Sequence, residues 1–201
     1  MKFFIVGLHA SGKQEILDIL EKQGVNVGRL FSNIESASPQ IYNSYNYELM
    51  TTSDINEMFE NKAYLFLQEL ESSATTKSYK YYEGLSLWAY DNNQAFALSP
   101  DQFIAIPARS YRGDELVIIW VDNDRHDRNS RYLIEKRSYS FKEREEIENR
   151  DISVFGKQVY SLPNSHVIYF ANEDPGRVAC AVLTLIEHPE YLPLYEKYFD
   201  W

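Results

Sequence analysis

Hydrophobic and polar positions along the chain change period from segment to segment, and those changes mark out its elements. Phe3-Phe4-Ile5-Val6 is a short, β-rich apolar run, and Ile16, Leu17, Ile19 and Leu20 then recur at helical spacing. Gly24 to Phe31 reads as a turn into a second short strand, followed by a polar loop from Ser32 to Tyr42. Ser53 to Phe59 predicts a helix start, with Ser53 or Asp54 as N-cap and acidic residues in its first turn. The apolar run Tyr64 to Leu70 fits a strand, with helix as the alternative, and Ser72 to Lys80 is a polar, Ser/Thr-rich stretch expected to be mobile. Tyr81 to Tyr90 and Gln94 to Leu98 suggest a hairpin-like pair around Asp91-Asn92-Asn93, so the middle of the chain reads as antiparallel.

An α/β rhythm returns from Phe103-Ile104-Ala105-Ile106 onward. Leu116 to Val121 is almost wholly apolar, as a strand covered on both faces would be. A charged stretch follows, with a helix predicted from about Tyr132 to Asn149; Val167 to Phe170 makes the last strand. Asp174-Pro175-Gly176 caps a final helix from Arg177 to Ile186, and the aromatic tail from His188 to Trp201 is expected to pack back on the domain.

The segment between the first strand and the first helix carries the clearest chemistry. Gly7 to Lys13 reads GLHASGK, the arrangement in which two glycines let the backbone turn its N–H groups inward around an anion. The following helix adds its positive dipole end, and Lys13 neutralises the phosphates. Gly7, His9, Ala10, Ser11, Gly12, Lys13 and Gln14 are thus the candidate phosphate-binding set. Gln14 stands where a magnesium-ligating hydroxyl is expected. Its amide oxygen can reach metal-bound water, while Ser11 offers an alternative hydroxyl and Asp122 or Asp101 a carboxylate for the metal shell, Asp122 being preferred on position. The cluster Arg125, Arg128, Arg131 and Arg137 follows the strongest strand, where open α/β sheets place ligands, and these arginines are candidate clamps for a triphosphate.

Composition narrows the field of partners. Twenty Lys and Arg against thirty Asp and Glu give a net charge of −10, which argues against a general nucleic-acid or membrane surface. The 201 residues suit one domain, with no internal repeat. The single cysteine, Cys180, lies in an apolar run and is expected to be a buried thiol. No signal peptide or membrane span is visible, and a cytoplasmic monomer or homodimer is the expectation.

With these segments in order, most of the chain resembles the guanylate kinase family. Tyr47 to Ile55 resembles the segment in which a nucleotide-contacting tyrosine precedes a helix, and Tyr81-Tyr82-Glu83-Gly84-Leu85-Ser86 resembles a loosened tyrosine-tyrosine-glycine-threonine turn. Ile134 to Arg137 resembles the lid, with Arg137 on the lid arginine, and Val167 to Glu173 the later strand end. The resemblance implies a P-loop three-layer α/β sandwich with a mainly parallel sheet. Its core would span about 1–32 and 95–201, a small mixed or antiparallel acceptor-binding subdomain about 33–94, and a lid about 123–145.

It also implies transfer of the ATP γ-phosphoryl group to a nucleoside or deoxynucleoside monophosphate with Mg2+. Lys13, Arg125, Arg128 and Arg137 would be catalytic, and Tyr47, Phe66, Glu69, Tyr82 and Ser86 would meet the acceptor. The chain departs from the pattern in two places: residues 31–42 contain no arginine, and the guanine-reading carboxylate aligns with Phe66, with Glu69 nearby. The accepted base is therefore open. Other readings are a catalytically weakened nucleotide-binding or protein-interaction domain of the same type, and a P-loop kinase of a modified nucleobase.

Overall fold

The computed structural model describes residues 1–8, 11–33, 47–72, 79–111, 113–122, 141–171 and 174–195. Five strands form a parallel sheet: β1 (Lys2–Gly7), β2 (Val27–Gly28), β7 (Ala95–Leu98), β8 (Leu116–Asp122) and β9 (Ser165–Ala171), in the order β2-β7-β1-β8-β9. Phe3, Phe4, Ile5 and Val6 are all fully buried, because β1 lies at the centre with a layer on each face.

Alternation along β1 and β8 divides the core in two. Phe3, Ile5, Val117, Ile119 and Val121 pack with Ile16, Leu17 and Leu20 of helix α1 (Lys13–Lys22) and with Val178, Ala179, Val182 and Leu185 of helix α6 (Pro175–Glu187). Phe4, Val6, Ile118 and Trp120 pack on the other face with Phe103 of helix α4 (Pro100–Ala105) and with Phe155 and Val159 of helix α5 (Phe141–Ser161). Burying each of the Val, Leu, Ile and Phe side chains among them stabilises the fold by about 1.5–3 kcal/mol before chain entropy is counted.

A second, four-stranded sheet in the order β4-β3-β6-β5 is built from β3 (Phe31–Ser32), β4 (Glu48–Leu49), β5 (Tyr64–Ser72) and β6 (Tyr79–Ser86). Strands β5 and β6 form an antiparallel hairpin, and β3 pairs antiparallel with β6 and parallel with β4. Helix α2 (Thr52–Glu60) precedes β5 and is capped by Thr51, whose hydroxyl accepts from the Asp54 amide while the Asp54 carboxylate accepts from the Thr51 amide. The N-cap is thus Thr51 rather than Ser53 or Asp54.

The antiparallel pairing expected between 81–90 and 94–98 is replaced by two different relationships. Strand β6 pairs backward with β5, the chain then forms helix α3 (Leu87–Asn92), and β7 joins the parallel sheet beside β1. Ser86 decides the break, since its side-chain oxygen accepts from the Ala89 amide and starts the helix. Lys2 closes the far end: its ammonium donates to the carbonyls of Tyr90 (2.6 Å) and Asn93 (2.7 Å).

The charged helix expected over 132–149 is described from Phe141 and runs on to Ser161, held by the inward positions Ile152, Phe155 and Val159. The start of that expectation, 132–140, lies outside the described residues. Cys180 is exposed rather than buried, because α6 turns Val178, Ala179, Val182 and Leu185 to the sheet and leaves residue 180 on its outer side. A 3-10 turn (Pro189–Tyr191) and helix α7 (Leu192–Tyr195) end the described chain, with Leu192 buried against the α1–α6 layer as the aromatic tail was expected to be; 196–201 lie outside. Among the described residues no helix is long and apolar enough to cross a membrane.

Candidate functional site

Strand β1 is followed by the loop that opens α1, and its neighbour β8 ends beside it. Gly7 is the register partner of Val121, and Asp122 is the next residue of β8. From β1 the chain moves to one side of the sheet, toward β2 and β7, whereas β8 continues to the other, toward β9. The loop therefore lies at the switch point at the carboxyl ends of the strands, the place where open α/β sheets receive ligands.

Two glycines make the loop's path possible. A Cβ on Gly7 would stand 2.5 Å from both the Ser11 hydroxyl oxygen and the Val121 carbonyl oxygen, a space only hydrogen fits. Gly12 has φ 87, in the left-handed region, and as the N-cap of α1 it turns the chain into the helix. The amide of Ser11 donates to the Leu8 carbonyl (3.2 Å), and the Lys13 ammonium donates to the same oxygen (3.1 Å). The lysine is thus held across the loop, with the positive end of α1 behind it. His9 and Ala10 lie outside the described residues.

Gln14 points along the helix. Its amide donates to the Asp18 carboxylate at 3.1 Å, one turn on. Asp122 is half-buried and accepts from the Tyr169 hydroxyl at 3.4 Å; burial pushes the Tyr169 phenol up, helped by this carboxylate. Asp101 sits in the first turn of α4. Among the described residues no group of three or more His, Cys, Asp or Glu side chains could hold a metal ion. Magnesium usually keeps several waters and uses one or two carboxylates plus phosphate oxygens, a donor set that Asp122 beside this loop suits.

The small sheet carries the acceptor candidates on two faces. Glu69 and Tyr82 are register partners, and the Tyr82 hydroxyl donates to Glu69 at 2.9 Å while Lys80 pairs with the same carboxylate at 2.6 Å. All three are engaged at the surface; the Lys80 hydrogen bond is the main cause that lowers the Glu69 pKa, and the bond to Glu69 raises that of Tyr82. Phe66 is 2 % exposed and lies in the core with Leu85 and Ala89, and Ser86 serves as the cap of α3.

On the inward face lies a group that the sequence reading did not assign. Glu83 is 3 % exposed, and its carboxylate accepts from Gln68 of β5 (2.5 Å), from Gln102 of α4 (2.8 Å) and from the Tyr47 hydroxyl (2.7 Å). The other end of the Gln102 side chain accepts from the Ser99 amide at 2.9 Å, so this amide joins the start of α4 to the small sheet. Burial drives the Glu83 pKa up against these three bonds, and it drives the Tyr47 phenol well up as well. A sequence signal existed: Gln68 and Glu83 interrupt the inward apolar positions Phe66 and Leu85.

Of the predicted residues, Gly7, Ser11, Gly12, Lys13 and Gln14 come together in one loop and helix start, with Asp122 beside them. Tyr47 joins the Glu83 group, while Glu69 and Tyr82 sit together on the opposite face of the hairpin. Arg125, Arg128, Arg131 and Arg137, with most of the expected lid, lie outside the described residues.

No family model and no curated protein matches the chain. Among solved structures it is similar to an unliganded sugar kinase from Janibacter sp. HTCC2649, with 12% identity, a TM-score of 0.40, and coverage of 95% of this chain and 96% of that one. It is similar at the same TM-score of 0.40 to shikimate kinase from Aquifex aeolicus vf5, with 10% identity over 94% of this chain and 98% of that one. Both likenesses are remote.

Proposed function

We propose that this chain transfers the γ-phosphoryl group of ATP to a nucleoside or deoxynucleoside monophosphate. The observation that carries the reading is the loop itself: Gly7 packed against Val121, Gly12 turned left-handed, and Lys13 drawn across to the Leu8 carbonyl at the head of α1. An entering phosphate takes the ammonium from that carbonyl and meets the positive end of the α1 dipole. Phosphoryl transfer of this kind needs positioning and charge neutralisation more than a nucleophilic side chain.

Residues 7–14 would hold ATP and Asp122 would serve its Mg2+, which would supply neutralisation of charge on the transferring group. Lys13 neutralises the developing charge from the protein side, and Arg125, Arg128 and Arg137 are assigned the clamp from the charged segment that follows β8. The acceptor is assigned to the small sheet on the face that holds Tyr47; Glu69 and Tyr82, paired on the opposite face, and Ser86, the cap of α3, are left out of that assignment.

The test is calorimetric ATP binding together with a transfer assay over a panel of monophosphates, with Lys13→Ala as control. Turnover of at least one monophosphate, abolished by Lys13→Ala, is expected. ATP binding without turnover of any monophosphate favours the catalytically weakened nucleotide-binding domain, a reading that the Gln14–Asp18 hydrogen bond supports. No ATP binding removes both.

A further inference from the structure

Asp122 follows Val121, the register partner of Gly7, so it stands level with Leu8, whose carbonyl holds the Lys13 ammonium. Neighbours in a parallel register share a face of the sheet, and so do residues two apart on one strand. Trp120 is the register partner of Tyr169, and Asp122 lies two residues beyond Trp120. The three side chains therefore belong to one face, the one opposite α1. Tyr169 packs there against the cluster that contains Trp120 and Phe155, and its hydroxyl donates to Oδ2 of Asp122 at 3.4 Å.

Packing does not ask for that hydroxyl. Phe170, the next residue of β9, packs on the α1 face with no polar atom, and a phenylalanine at position 169 would keep the ring contacts. What tyrosine adds is a donor on the carboxylate that ends β8. An aspartate carboxylate has a broad torsion about its last bond. A donor on one oxygen narrows that rotation and leaves the lone pairs of the other oxygen for a further partner. At 3.4 Å the contact is longer than a tight O–H to carboxylate bond, as catalytic contacts often are before substrate enters.

We infer that Tyr169 is a positioning residue for Asp122, its hydroxyl fixing the carboxylate so that the second oxygen is available to the hydrated Mg2+ that accompanies ATP. The inference rests on the phosphotransferase reading above and on the place of Asp122 in it. Tyr169 acts through the carboxylate, not on the nucleotide. Outer partners of this kind orient the group that meets the metal, and losing one typically costs about 10- to 100-fold in metal affinity.

The experiment uses the full-length wild type, Tyr169→Phe, Asp122→Ala and the double variant, and reads ATP affinity by calorimetry in EDTA and at rising Mg2+ concentrations. Tyr169→Phe keeps the ring and removes only the donor. It is expected to raise the Mg2+ concentration that gives half of the gain in ATP affinity by about 10-fold or more. Its ATP affinity in EDTA should match the wild type, and its Tm should lie within about 3 °C of it. Asp122→Ala should raise the Mg2+ requirement at least as far, and the double variant should go no further than Asp122→Ala alone. An unchanged requirement in Tyr169→Phe beside a raised one in Asp122→Ala gives the tyrosine to packing and overturns the inference. A double variant in which the two effects add overturns it as well, since the hydroxyl would then act without the carboxylate. An unchanged requirement in Asp122→Ala removes that carboxylate from the metal, and a wild type that binds no ATP removes the phosphotransferase reading; the inference falls with either.

Discussion

Gly7 and Val121 approach so closely that a β-carbon on the first would stand 2.5 Å from the carbonyl oxygen of the second. The obstacle is main chain at the centre of a parallel sheet, so it cannot move aside as a side chain would. Gly7→Ala is expected to cost about 1–3 kcal/mol and to abolish ATP binding, because any relief must shift the loop. Thermal unfolding with calorimetry on the same samples checks both; an alanine variant that binds ATP normally would refute the cradle.

Lys13 is half-buried over the loop with its ammonium on the Leu8 carbonyl, and although Leu8 packs in the core the lysine side chain does not. Lys13→Ala should therefore leave Tm nearly unchanged while lowering kcat by about 100-fold or more, the scale seen when a preorganised charge-stabilising group is removed. Gln14→Ser releases Asp18 and restores a hydroxyl beside the phosphate site; transfer is expected to be preserved or increased. A fall in activity would mean that the Gln14–Asp18 pair serves the reaction.

The pH dependence of stability should carry the mark of Glu83. Burial raises its pKa in the folded chain. From the ordinary glutamate value of about 4.3 up to that raised value, the folded chain holds a proton that the unfolded chain has released. Stability contributed by this group is present at low pH and is lost as pH rises through the folded value. Tm measured from acidic to neutral pH should therefore rise for Glu83→Gln relative to wild type as pH increases. A constant difference across the range would show that the carboxyl titrates normally.

Lys2 joins the first strand to the end of α3 through the Tyr90 and Asn93 carbonyls and lies over the Tyr90 ring at 4.9 Å. Lys2→Met keeps the aliphatic stem but removes the ammonium's hydrogen bonds to those carbonyls, at an expected cost of about 1–3 kcal/mol. Urea unfolding of the two proteins side by side measures it.

The loop was legible because its determinants are contiguous: Gly7, Gly12 and Lys13 fall within one turn of chain between an apolar run and a periodic one. Strand β8 was legible because Leu116 to Val121 has no polar residue. The parallel pairing of β7 was not, since its partner Phe3 lies far away in sequence while the nearer Tyr81–Tyr90 run offered a plausible hairpin. Ser86 overrode that run with a single hydroxyl. Cys180 misled because its apolar neighbours serve one side of a helix, not all of it. The Glu83 group was hidden for a different reason: Tyr47, Gln68 and Gln102 are unremarkable alone, and only the folded chain brings their donors to one carboxylate.

Between Gly28 and Ala95 the chain leaves the parallel sheet, builds the small one, and returns. Strands β2 and β7, where it departs and re-enters, are hydrogen-bonded neighbours with Val27 opposite Ala95. The excursion thus leaves and rejoins the parallel sheet at two adjoining points on one side of β1. Such an attachment lets the length of the excursion change at its outer turns while the loop at Gly7 keeps its place.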